Sequence, residues 1–246
     1  MAEELAKEIP EETIVKEIIK ADEVKVEPRR VGRDWTPKTD LGKRVFEGKI
    51  SDMSEIFSSG DKILEAEIVD RLIPSIENEL ILIGGSPGKG GGIKRTPAKR
   101  TSRMHKSGRR YKTSSLVVVG NRDGYVGIGL GRGTELRSAI NKAVEHAKKA
   151  LLPVRRGCGS WECKCSNPHS IPVEVTGKHG SVRVKLIPAP RGIGLVANEE
   201  AKKILQLAGV QDIWCKSFGQ TQTTINFTMA IIDAFKVLNK MKMQRE

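Results

Sequence analysis

The chain has 246 residues, room for one large domain or two small ones. Its 43 Lys and Arg against 30 Asp and Glu give a formal charge of +13 and a pI near 9.7, so nucleic acid is the first partner to expect and an anionic membrane the second. Phe 5, Trp 3 and Tyr 2 are too few for a binder that works mainly by base stacking; there is no apolar run of ~18 residues to span a membrane, and the acidic N-terminus does not read as a secretion signal.

In chain order, residues 1–20 carry Ile9, Ile14, Val15, Ile18 and Ile19 among acids and lysines, which predicts a short amphipathic helix. Residues 29–49 mix Gly, Pro, Trp35 and bases and read as an extended arm. Asp61 is placed to cap a helix with Leu64, Ile68 and Leu72 on one face, ended by Pro74. ELILI at 79–83 is a short strand. It leads into 84–92, six Gly in nine residues, a composition expected of a mobile loop. Strands follow at 116–119 and 125–130 around the turn Asn121-Arg122-Asp123-Gly124. Leu136, Ala139, Ile140, Ala143, Val144, Ala147 and Leu151 keep helical spacing, with Thr134 as cap and Pro153 as stop. The result is a three-stranded antiparallel sheet covered by one helix.

A second unit reads β-β-α-β-α. It has strands at 173–176 and 182–187, a Gly/Pro loop at 188–194, and a helix presenting Ala201, Ile204, Leu205 and Ala208 that Gly209 ends. A strand at 210–218 and a helix at 225–238 complete it. The expected organisation is an arm at 1–60, a first domain at 61–153, a Cys/His linker at 154–170, a second domain at 171–240 and a tail at 241–246. The fold class is α+β.

Charge is blocked rather than spread. Residues 1–27 are net −5, 29–49 net +4 and 50–79 net −6. Residues 80–122 contain eleven Lys or Arg and no acid. Arg29, Arg30, Arg33, Lys43 and Arg44 form a basic arm expected to lie on RNA. Lys89, Lys94, Arg95, Lys99, Arg100, Arg103, Lys106, Arg109, Arg110 and Lys112 form a basic loop expected to be poorly ordered when free and to order on RNA phosphates, with Arg122 and Arg132 adding to it. The acidic block suits a protein neighbour or solvent.

Gly-rich segments do not make nucleotide sites here: no P-loop or dinucleotide fingerprint fits. Gly127, Gly129, Gly131 and Gly133 alternate, so one strand face lacks side chains and something packs closely there, either an internal helix or an RNA or protein partner. Cys158, Cys163, Cys165 and His169 follow C-x4-C-x-C-x3-H, three thiolates and an imidazole suited to one structural zinc ion; the alternative is a set of buried thiols. Such clustering argues against a secreted disulfide framework and for a reducing, cytoplasmic setting. Cys215 reads as core. His105, His146 and His179 build no nucleophilic site, and no enzyme is expected.

The run LVVVGNRDGYVGIGLGRGTELRSAINKAVEHAKKAL at 116–151 resembles the small-subunit ribosomal protein five family (bacterial numbering; counted second in the eukaryotic subunit), as does IPVEVTGKHGSVRVKLIPAPRGIGLVANEEAKKILQLAGVQDIW. The resemblance covers roughly residues 40–238, and the Cys-bearing segment looks like the archaeal branch. The 84–110 stretch is longer than the family leads one to expect. The resemblance implies an N-terminal domain like a double-stranded-RNA-binding domain and a C-terminal split β-α-β domain. That second fold is shared with some kinases, but PAPRGIGLVAN lacks the Ser residues and catalytic carboxylate of a kinase loop. It further implies a structural constituent of the small subunit bound to its rRNA at the body–head junction, beside the path by which messenger RNA enters. Small-subunit proteins three, four and eight would be neighbours, and decoding accuracy would be supported. The other reading is a free-standing RNA-binding regulator or RNA-modifying enzyme reusing the fold. Neither a membrane nor a small-molecule substrate is expected.

Overall fold

The computed structural model describes residues 35–87, 91–163, 165 and 167–241. The expected first helix, together with Arg29, Arg30, Arg33 and Lys89, lies outside the described residues. Three seven-residue helices come first: α1 (Asp40–Phe46), α2 (Met53–Ser59) and α3 (Ala66–Leu72). They correct the extended arm in its second half. The Thr39 hydroxyl accepts the Gly42 N–H at 3.1 Å and starts α1, which buries Leu41 and Val45. Two turns of helix are too few for a period to stand out in sequence. Asp61 caps no helix and instead pairs with Arg44. Helix α3 begins after Glu65, and Leu64, expected on its buried face, is 63% exposed.

The first sheet is larger than the expected three strands. β1 (Glu77–Ile81) and β4 (Ala98–His105) both pair with β5 (Gly108–Gly120), which pairs in turn with β6 (Tyr125–Gly133). The thirteen residues of β5 make this sharing workable: its second half, 116–120, takes β1, and its first half, 108–115, takes β4. Between them, β2 (Gly84–Pro87) and β3 (Ile93–Thr96) pair antiparallel, so the described ends of the expected mobile Gly loop belong to a two-stranded ribbon. The basic loop is likewise corrected: residues 98–115 are a paired hairpin turning at Lys106 and Ser107. Strands that project into water need no apolar residues, so a charge run concealed them.

Helix α4 (Leu136–Lys149) covers one face of this sheet. Its N-cap is Glu135 rather than Thr134, and it ends at Lys149, ahead of Pro153; Leu151, expected on the helix face, instead opens β7 (Leu151–Pro153), which pairs with β6. The alternate glycines answer to this helix. A Cβ at Gly129 would strike the backbone of Ala143 and Ala147, and one at Gly131 that of Ala139 and Ala143. Ala139, Ala143 and Ala147, four residues apart, complete a seam of small residues that lets helix and strand approach closely.

The second unit contains β8 (Val175–His179), β9 (Val182–Pro188), β10 (Leu195–Val196), α5 (Glu199–Leu207), β11 (Ile213–Phe218) and α6 (Thr224–Lys240), in sheet order β10-β11-β9-β8. Its cores do not close on themselves. Leu116, Val118, Val126 and Ile128 from the first sheet share one cluster with Leu205, Leu207, Phe227 and Phe235. The opposite sheet face, with Val117 and Val119, packs on Ile140, Val45, Ile56 and Ile68. The first sheet is therefore a middle layer. Arg122 N–H donates to Leu207 O at 2.9 Å and Gly124 N–H to Ala208 O at 3.2 Å, fastening the hairpin turn to the end of α5.

Candidate functional site

Register divides the cations of the β4–β5 hairpin between two faces. Lys99 stands opposite Ser114, Thr101 opposite Lys112, Arg103 opposite Arg110, and Ser114 opposite Arg132 on β6. Cross-strand partners share a face and neighbours along a strand alternate. Lys99, Arg103, Arg110, Lys112 and Arg132 thus stand together, with His105 at the tip. Two residues further along, the same face is Leu116 and Leu130, against the second unit. The basic face and the start of α6 therefore border a groove of ≈ 600 Å³, with Leu130 and Ile225 as its apolar lining. On the opposite face, the Arg100 guanidinium lies 3.8 Å from the Tyr111 ring centroid, beside Arg109. Among the described residues, none of these hairpin cations has a carboxylate partner.

Other expected contacts sit differently. Lys94 and Arg95 are exposed on β3, and Lys106 is in the hairpin turn. Lys43 pairs with Asp40 at 3.5 Å and Arg44 with Asp61 at 2.7 Å, both on or beside α1. Arg122, at φ 56°, is held by Glu77 at 2.7 Å. These three cations are partly neutralised within the protein and are separate from the hairpin face. The face itself was missed in sequence. Its signal was the two-residue alternation of Lys99, Thr101, Arg103 and His105 before a Ser-Gly turn.

The Cys/His segment closes into a knuckle. Gly157 and Ser170 exchange two backbone hydrogen bonds, of 2.8 and 3.0 Å, bringing its ends together. Cys163 Sγ lies 3.1 Å from Cys165 Sγ and 3.7 Å from His169 Nε2, and Cys165 Sγ lies 3.6 Å from Cys158 Sγ. All four donor atoms fall within 4.8 Å of one another. Two sulfurs on one tetrahedral zinc ion stand about 3.8 Å apart, so this donor set fits a zinc-sized metal ion. The side-chain contact with Cys165 and the backbone of Arg191 pull the Cys163 thiol down to about 6. Burial pushes Cys158 up, and its contacts with Cys163 and Cys165 add to this. A cation at the centre would deprotonate all three thiols. Asp212, which touches His169 from 43 residues away, had no signal in the sequence.

The remaining candidates are structural. Cys215 is half-buried against the core, and burial pushes its thiol up to about 11. His146 Nδ1 lies 2.9 Å from Leu130 O, and His179 Nδ1 lies 3.1 Å from Asp233 Oδ2. No described helix is long and apolar enough to cross a membrane.

Comparison with known proteins places this architecture. The model of the family described as Ribosomal protein S5, N-terminal domain, matches residues 97–155, and that of Ribosomal protein S5, C-terminal domain, residues 177–245. A small ribosomal subunit protein uS5 of Methanococcus maripaludis is 49% identical over 218 residues, covering 88% of this chain and 90% of the relative. The chain belongs to the uS5 family. A uS5 of Methanocaldococcus jannaschii is 48% identical over 84% of this chain and 88% of its own length, and one of Methanospirillum hungatei 49% over 85% and 95%. These uS5 relatives are named as ribosomal proteins and not as enzymes. The family resemblance and the α+β class therefore hold, and a basic excess is the usual composition of a protein that assembles with nucleic acid.

Proposed function

We propose that this chain binds small-subunit rRNA chiefly through the groove-facing side of the β4–β5 hairpin, as a structural constituent at the body–head junction. There it neighbours small-subunit proteins three, four and eight and the path of the entering messenger, and supports decoding accuracy. The observation that carries the rRNA reading is the row formed by Lys99, Arg103, Arg110, Lys112 and Arg132, with no acid partner among the described residues. Such a row displaces condensed counterions from a phosphate backbone. Replacing Lys99, Arg103, Arg110 and Lys112 with Ala is expected to lower the slope of log affinity against log salt by about 3–4, since each phosphate contact contributes about 0.7–0.9. Replacing Arg44 and Arg122, which are already paired, is expected to change it by less than one contact's worth. An unchanged slope in the hairpin variant overturns the assignment of this face. Sucrose-gradient sedimentation of cell extracts separates a subunit component, which travels with the small subunit, from a free regulator.

Cys158, Cys163, Cys165 and His169 hold one structural Zn²⁺ in this reading, with Zn–S of ~2.3 Å and Zn–N of ~2.0–2.1 Å. The closed four-donor set leaves no open position for catalysis. Metal analysis of protein purified under reducing conditions is expected to give one zinc per chain; its absence overturns the reading.

A further inference from the structure

The imidazole of the knuckle has two sides, and each has a partner. Nε2 faces the thiols, 3.7 Å from Cys163 Sγ, while Nδ1 lies 2.8 Å from Asp212 Oδ2. His169 and Asp212 are both 4% exposed, so water does not compete for this contact. A carboxylate only accepts, which keeps the proton on Nδ1 and leaves the Nε2 lone pair aimed among the sulfurs. The Asp212 and Gln211 N–H groups both donate to His169 O, at 3.2 and 2.9 Å, so backbone as well as side chain sets the ring's position.

The second carboxylate oxygen reaches elsewhere. Asp212 Oδ1 accepts the N–H of Gly192 at 3.0 Å and of Gly194 at 2.8 Å. Those glycines adopt φ of 95° and 75°, which turns both N–H groups onto one atom. The loop joining β9 to β10 is thus tied to the four-donor set through Asp212 and His169.

We propose that Asp212 is the positioning residue of the metal site, holding His169 as an Nε2 ligand and, through its other oxygen, making the arrangement of the Arg191 loop depend on whether the metal is bound. This rests on the zinc reading above. A carboxylate behind a ligating imidazole fixes its tautomer and raises its basicity, and losing such a partner weakens metal binding by about 10–100-fold. Arg191 and Ile193 are exposed on the loop, so the surface presented there follows metal occupancy.

The test uses the full-length protein loaded with Zn²⁺ or Co²⁺. Asp212→Asn is expected to lose zinc to a competing chelator about 10–100-fold more readily while its Co²⁺ spectrum stays tetrahedral. Trypsin is expected to cut after Arg191 slowly in the loaded wild type, and quickly in the metal-free wild type and the loaded variant. A variant with wild-type zinc affinity, or wild-type cleavage that ignores the metal, overturns the proposal and leaves the zinc reading standing. A wild-type protein that binds no metal overturns both. If Asp212→Asn does not fold, long-range proton–nitrogen spectra of the loaded wild type decide: the proposal requires a proton on Nδ1 and metal on Nε2 of His169, and the reverse overturns it.

Discussion

Gly129 shows how a single missing side chain fixes a layer. Its virtual Cβ would meet the Ala143 carbonyl and the Ala147 amide, both backbone of one rigid helix, so neither can give way alone. Gly129→Ala is expected to lower stability by about 1–3 kcal/mol, the usual cost of overpacking, read as a shift in urea midpoint. Gly92→Ala, where nothing lies within 4 Å, serves as the near-neutral control. Glu65 works through polar contacts instead. Burial opposes its ionisation, but the Thr39 and Lys38 N–H groups, the Thr39 hydroxyl and the Trp35 indole outweigh this and hold it below the usual carboxylate value of 4.5. Because the folded value is the lower one, the ionised carboxylate stabilises the protein above about pH 4.5, and that contribution is lost as pH falls through the depressed value. The difference in urea midpoint between wild type and Glu65→Gln is therefore expected to be greater at pH 7 than at pH 3.

Pairs of elements carry the next level of order. Helix α3 meets α4 through Asp70 and Lys148, 2.5 Å apart, with side chains 17% and 8% exposed. Removing one partner leaves a largely buried charge, so Asp70→Ala is expected to cost about 3 kcal/mol or more in chemical denaturation, with Lys148→Met in the same chain recovering part of it. How much of each element could be read in sequence follows from what it buries. Helices α4 and α6 carry several turns of apolar period, and both are legible to within a few residues. Helix α1 has two turns and three buried positions, and among charges and Gly it passes for an arm. The first half of β5 buries no apolar side chain, so its strand character rests on backbone pairing that no composition records. The four candidate metal donors were legible because they lie within twelve residues of one another; Asp212 was not, because only the fold brings it to His169.

The two units behave as one structure because the first sheet gives a face to each core. Leu116 is fully buried in the cluster that also holds Phe227 and Phe235, while Val117, the next residue, belongs to the cluster under α1–α4. Leu116→Ala is expected to cost about 2–5 kcal/mol, the range for opening a cavity in a packed core. Because that cavity lies between the units, both should lose stability together. Trp35 reports on the N-terminal helices and Trp214 on β11, so variants keeping only one of these tryptophans should give coincident urea transitions, displaced equally by Leu116→Ala. Separate midpoints would show two independently stable units. The outcome bears on the proposed RNA face, since the basic groove is lined both by the β4–β5 hairpin and by Ile225 of the second unit. If the shared core fixes that groove, Leu116→Ala weakens RNA binding at temperatures where the hairpin's own strand pairing persists, and the salt slope falls as phosphate contacts are lost. Unchanged affinity and slope in a destabilised variant would instead mean that the hairpin alone grips the RNA and the second unit only supports it.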